Sequence, residues 1–249
     1  MGNYTNETKS NEKSGGLKTK MQKAGVKMLE KYYGQPGKKM KIIAITGTSG
    51  KATVAHFVHE ILKEAGQKVA VLASDGEIKT RTLHKFLADA AKAGATHAVV
   101  TAPATTIHSN AFFGLPIEVV ALTDFVPAAG NTAEADEYLS SSKTLMAMRP
   151  NVVILNSDDG YYHEFSQYSG AKETYVYGSD FAAAVKIEGF KLYKKGVEAK
   201  LAILGSRATV ASFLTGEPVV HYMACAATVA AALNIRAEVI ADGIANYVI

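Results

Sequence analysis

Gly47, Thr48, Ser49, Gly50 and Lys51 stand between the β-branched run IIAIT and an amphipathic stretch, in the order strand, glycine loop, helix. In that setting glycines let backbone N–H groups wrap a phosphate at a helix N-terminus, and a lysine reaches the outer phosphates. The residue after the lysine should offer a hydroxyl to magnesium, but here it is Ala52. Thr53 keeps a hydroxyl one position on, turned about 100° around the helix and poorly aimed for the same metal. The loop therefore suits a nucleotide or phosphate ligand and leaves magnesium weakly provided for.

Other chemistry-bearing residues form weaker patterns. His56 and His59, with Glu60, have helical metal-binding spacing but no evident third ligand, so a solvent-facing helix surface is the expectation. His84, His97, His108, His163 and His221 are scattered singly. In SDDGYYHEF, Asp158 reads as a helix N-cap and the remaining charges as a solvated face. Ser109 and Ser166 lack base and acid partners in the sequence, which leaves a hydrolase triad unsupported. Cys225, the single cysteine, lies within the apolar run MACAATVAAAL and reads as a buried inert thiol.

The elements that must position the loop follow from periodicity. Short apolar runs at 41–46, 69–73, 97–101, 118–122, 152–155 and 173–177 read as strands. Helical patterns lie between them at 51–65, 82–93, 133–147 and 158–168. Apolar strands alternating with helices imply an α/β fold with a doubly wound, mostly parallel sheet. After Gly178 the period becomes two around Gly and Lys-Lys turns, predicting a small antiparallel meander between 184 and 213. Helices near 218–233 and 236–246 follow.

Residues 1–16 are polar and are expected to be a disordered leader. Residues 17–38 read as a basic amphipathic helix and linker, with Leu17, Met21, Ala24, Met28 and Tyr32 in one stripe. Packing of that stripe on the body or a second copy is favoured over contact with a membrane surface. Nine lysines and three glutamates in residues 1–40 give +6, leaving −2 for the rest of a 249-residue chain whose formal charge is +4. A near-neutral body argues against a nucleic-acid-binding face. No apolar run reaches the ~20 residues of a membrane span, no apolar signal region opens the chain, and Asn6 breaks the myristoylation pattern. These features fit a cytoplasmic protein.

The order of motifs resembles the central ATP-binding domain of the Mur ligases, over roughly residues 39–249. It is most similar to the branch that adds the third residue of the peptidoglycan stem peptide. ITGTSGKAT is similar to the family loop, and GLPIEVVALTDF to its Gly-Leu-x-x-(Asp/Glu)-Val-x-x-x-Thr-Asn-Leu segment. VVILNSDDG is similar to an Asn-Ala-Asp-Asp stretch, and LTGEPVVHYMACAATVAAALNI to a helix opening Gly-x-Phe-Asn-x-x-Asn. The resemblance implies ATP-driven formation of an acyl phosphate, followed by attack of an amino acid's amine to give an amide. It implies nucleotide contacts at Gly47, Thr48, Ser49, Gly50, Lys51, Thr53, Asn156 and Asp159. It also places the lysine that the family carbamylates at Lys143.

Against that pattern, Thr101 and Thr105 stand where the resemblance implies a metal-binding Glu and His. Ala128-Ala129 replace an Asp-His pair, and Val219 and Tyr222 replace two Asn. The flanking uridine-nucleotide and amino-acid-binding domains of the family have no counterpart in these residues. Two readings follow: an ATP-dependent cell-wall peptide ligase completed by a partner subunit, or a non-catalytic regulatory or interaction protein on the same domain. The substitutions favour impaired or absent ligase activity. A generic nucleoside triphosphatase meets the same shortage of metal ligands.

Overall fold

The computed structural model describes residues 20, 21, 23–124 and 132–247. The expected polar leader, Leu17 and Ala128-Ala129 lie outside them. Among the described residues, nine strands form one sheet in the order β2-β3-β1-β4-β5-β6-β7-β8-β9. They are β1 (Lys41–Thr46), β2 (Val69–Leu72), β3 (His97–Thr101), β4 (Ile117–Leu122), β5 (Val152–Asn156), β6 (Glu173–Gly178), β7 (Val185–Tyr193), β8 (Gly196–Ile203) and β9 (Ser206–Ser212). The first six pair in parallel, with β1 central between β3 and β4. The meander is continuous with this sheet, because β7 pairs in parallel with β6 through Tyr177 and Gly178. Strands β8 and β9 then run antiparallel.

Central strands buried on both faces explain their continuous apolar sequences. Ile43 and Ile45 point into one core, with α2 (Lys51–Glu64), α7 (Pro218–Ala232) and α8 (Ala237–Ala245) over it. Ile42 and Ala44 point into the other, beneath α3 (Thr80–Lys92), α4 (Ala104–His108), α5 (Thr132–Met146) and α6 (Tyr162–Gln167). The alanine-rich α7 has its middle wholly buried, and small side chains let it lie close to β4 through β8. Helix α8 approaches α2 more tightly still. A Cβ on Gly243 would sit 2.4 Å from the Ile61 Cα, so only glycine allows this crossing. Among the described residues no helix is long and apolar enough to cross a membrane.

Helix α1 (residues 23–32) meets the body by a face other than the expected stripe. Met21, Met28 and Tyr32 are 68%, 76% and 81% exposed, whereas Val26 and Glu30 are buried. The Lys23 and Lys27 ammonium groups lie 4.8 and 5.8 Å from the Phe113 ring centre. An aromatic face attracts cations, so the body offers this helix a better seat for its lysines than for its methionines. The expected helix at 158–168 shortens to α6 because residues 159–161 form a turn, closed by the Tyr161 N–H donating to Asp159 Oδ1 at 2.8 Å.

Candidate functional site

The sheet order reverses around β1, where β2 lies beyond β3 on one side and β4 begins the run on the other. Such a reversal opens a crevice at the carboxyl ends of the strands. The loop 47–50 lies there, between β1 and the N-terminus of α2. Gly47 has φ +145° and a Cβ on it would meet Thr123 Oγ1 at 1.8 Å; Gly50 caps α2 with φ +72°. Both positions require glycine, one for closeness to β4's end and both for backbone angle.

Within the loop, Lys51 is buried and donates to the carbonyls of Gly47 at 3.1 Å and Thr48 at 3.3 Å. Burial pushes its ammonium below the usual lysine range, against the pull of the Asp75 and Asp124 carboxylates. Ala52 and Thr53 are half-buried in the first turn of α2. Behind the loop, the Tyr138 hydroxyl from α5 lies 3.2 Å from Thr46 Oγ1, and its burial pushes that phenol up to about 12.

Two residues absent from the expected site dominate the loop's outer side. Asp124, just past β4, accepts from the Ser49 N–H and the Thr48 hydroxyl at Oδ1, both at 3.0 Å. Its Oδ2 accepts from the Ser49 hydroxyl at 2.7 Å. Tyr222, from the second turn of α7, brings its hydroxyl to 2.8 Å from Ser49 Oγ. Its ring lies where a side chain on Gly50 would have to go. The carboxylate is held from below: the fully buried Tyr177 donates to the carbonyls of Thr123 at 2.5 Å and Leu122 at 3.2 Å. Thr123 Oγ1 in turn donates to the Ser49 carbonyl at 2.6 Å.

A cavity of about 390 Å³ opens beside this cluster. Asn156 and Asp159 line it together with Asp124 and Tyr222, the two residues that contact the loop. Both also shape their own chain: Asn156 Oδ1 accepts from the Asp158 N–H at 3.0 Å, and Asp159 closes the turn described above. Asp158 is no helix cap. Its carboxylate accepts from the Ser179 N–H and hydroxyl, tying β5's end to the end of β6, and α6 begins only four residues after it. His221 Nδ1 stands 3.9 Å from its Oδ2.

The positions linked to metal chemistry have other tasks. Thr101, fully buried, accepts from the Ser74 N–H and donates to the Ser74 carbonyl, each at 2.8 Å. It is thereby the clamp on the loop between β2 and α3. Thr105 is exposed on α4, and Val219 is buried in the core. Lys143 Nζ lies 2.6 Å from Glu164 Oε1 and 4.2 Å from the Tyr168 ring centre, so these two groups occupy it. Among the described residues no group of three His, Cys, Asp or Glu is placed to hold a metal. The lesser candidates are also accounted for. His56 stacks on Tyr247 instead of facing open water, His59 bonds Glu60, and Ser109 and Ser166 donate to nearby backbone carbonyls.

Residues 45–231 match the family model described as the Mur ligase middle domain. The chain is 27% identical over 235 residues to the UDP-N-acetylmuramoyl-L-alanyl-D-glutamate–2,6-diaminopimelate ligase of Bacillus licheniformis, an alignment covering 86% of this chain and 48% of that protein. It thus spans about half the length of the curated relatives it matches. A solved structure of a ligase of the same description superposes with TM-score 0.76 at 21% identity, covering 84% of this chain and 46% of that one. Folylpolyglutamate synthase of Mycobacterium tuberculosis, complexed with ADP and AMPPCP, gives TM-score 0.72 at 16% identity, over 91% and 63% of the two chains. The last two likenesses speak to the fold.

Proposed function

The chain belongs to the Mur ligase family through its middle domain, and from that premise we propose that it is a nucleotide-phosphate-binding module whose own ligase chemistry is impaired or absent. The curated relatives are named as ligases of UDP-N-acetylmuramoyl-L-alanyl-D-glutamate with 2,6-diaminopimelate. In that setting ATP is the ligand proposed for the loop and the cytoplasm the proposed place of action.

The observation that carries the reading is the clamp at Thr101. The resemblance puts a metal-binding carboxylate at this position, but the hydroxyl here is spent on both backbone groups of Ser74. Magnesium does not fit the other implied positions either: Ala52 has no donor and Thr105 is a solvent-exposed hydroxyl on α4. Lys143 supports the same reading, since its Nζ is taken up by Glu164 Oε1 at 2.6 Å. Phosphoryl transfer depends on charge neutralisation around the moving group, so these losses bear on the chemical step more than on phosphate binding. What the loop keeps is backbone N–H groups, the α2 N-terminus and the Lys51 ammonium, which can hold and orient a phosphate without a metal.

Completion by a partner subunit is the competing reading. It could supply amine and acceptor substrates, but the metal-ligand positions at issue belong to this domain's own sequence. The test is an assay of purified chain with ATP, magnesium, uridine-linked muramyl peptides and free amino acids. We expect no phosphate release that depends on both substrates and no new amide. Turnover of that kind would overturn the proposal.

A further inference from the structure

We propose that Asp124 is an internal anion of the phosphate loop, so that a nucleotide phosphate binds there only by displacing its carboxylate. The inference rests on the phosphate-loop reading above and concerns what controls the affinity of that site.

A phosphate in a loop of this kind needs backbone N–H groups, hydroxyls and a cation. Here three of those donors already point at one carboxylate: the Ser49 N–H, the Ser49 hydroxyl and the Thr48 hydroxyl. Charge-assisted bonds at 2.7 to 3.0 Å are strong ones, and an anion that satisfies them removes the loop's need for another. The fourth donor is also withdrawn, because the Lys51 ammonium turns inward to the carbonyls of Gly47 and Thr48. Tyr222 completes the closure by bonding Ser49 Oγ and lying across Gly50.

The arrangement has one movable part. Tyr177 fixes the Thr123 carbonyl from inside the core, the Thr48 N–H donates to the Asp124 carbonyl at 3.1 Å, and Thr123 Oγ1 holds Ser49. The backbone of Asp124 is therefore pinned to the loop, and only its side chain can swing away, toward the 390 Å³ cavity that it lines. An incoming polyphosphate must break the carboxylate's bonds to Ser49 and Thr48 and the 3.2 Å one from Thr123 Oγ1, move a like charge out of contact and lift the tyrosine. Its net affinity is the difference between its own bonds and those of the carboxylate.

Replacing the charge while keeping the shape tests this. Asp124→Asn retains an acceptor oxygen for Ser49 and Thr48 but no longer repels phosphate. ADP titrated into the full chain by calorimetry, without magnesium, should bind Asp124→Asn at least ten-fold more tightly than the unaltered protein. Asp124→Ser, smaller and also uncharged, should shift affinity in the same direction, which guards against a variant that folds poorly. Pyrophosphate should follow the same order, since the competition is for phosphate and not for the base. Equal or weaker binding by both variants would overturn the exchange while leaving the phosphate site itself intact. No binding of ADP or pyrophosphate by any of the three proteins, all shown folded by circular dichroism, would refute the phosphate-loop reading and the exchange with it.

Discussion

Thr101→Val removes one hydroxyl and almost nothing else, because the two side chains have nearly the same shape. In the folded protein that hydroxyl makes two bonds of 2.8 Å, one in each direction, to the backbone of Ser74. Each such bond contributes a net ~0.5–1.5 kcal/mol, and a polar group left buried without a partner costs more. Ser74 is half-buried, so water can reach its N–H and carbonyl in part and the upper limit is not reached. The expected loss is about 2 kcal/mol, which for a domain of this size lowers Tm by roughly 4–8 °C. Thermal melts and urea titrations of the two proteins measure it. A shift under about 1 °C would mean that the β2–α3 loop closes without Thr101, and the case that this residue has left metal chemistry for a structural task would fall. Thr101→Glu should be worse than Thr101→Val, since it loses the clamp and also puts a carboxylate in a fully buried position. Magnesium should not recover that loss.

Three further outcomes follow from the site and its supports. Tyr177→Phe should cost about 1–3 kcal/mol in urea unfolding, because the Thr123 and Leu122 carbonyls lose their buried donor. Cys225, whose thiol is pushed by burial up to about 12, should resist a thiol reagent at pH 8 in the native protein and react at once in denaturant. Burial also pushes the His84 and His97 rings below their ordinary value, opposed by the Ala111 backbone in one case and, in the other, aided by Lys41 and opposed by Glu118. The folded state then binds fewer protons than the unfolded one, so stability is full above the unfolded value of ~6.5 and falls as pH drops below it. Melting temperatures from pH 7.5 to 5 should decline, and a flat profile would contradict the shifts.

The fold was legible because its signals are local. The run at 41–46 predicts a strand and β1 is observed there, since a β-branched run before a glycine loop admits little else. The helix after it was equally clear from its apolar period. The seating of α1 was not, because periodicity finds an apolar stripe without saying which neighbour awaits it. Phe113 lies some eighty residues downstream and draws lysines instead. At the site, residue types pointed to the loop but not to what fills it. Asp124 was visible in LTDF as an acid where the resemblance implies Asn, a one-atom difference whose meaning depends on its distance from Ser49. Tyr222 was noted only as a lost Asn, because its reach across α7 to the loop is a matter of packing. Thr101 was read by what it lacks, and its two bonds to Ser74 could be found only in three dimensions.

The glycine at 243 has a mechanical consequence. With α8 seated so close to Ile61 that a single methyl group would not fit, α2 is braced along its back and cannot slide or tilt to loosen the turn at its front. Compliance must then reside in the Asp124 side chain and in the half-buried Tyr222 side chain carried on α7. The domain behaves as an anvil with a small hinged catch. Its floor should exchange amide hydrogens as slowly as the central strand, while the Asp124 and Tyr222 side chains set how fast anything enters or leaves.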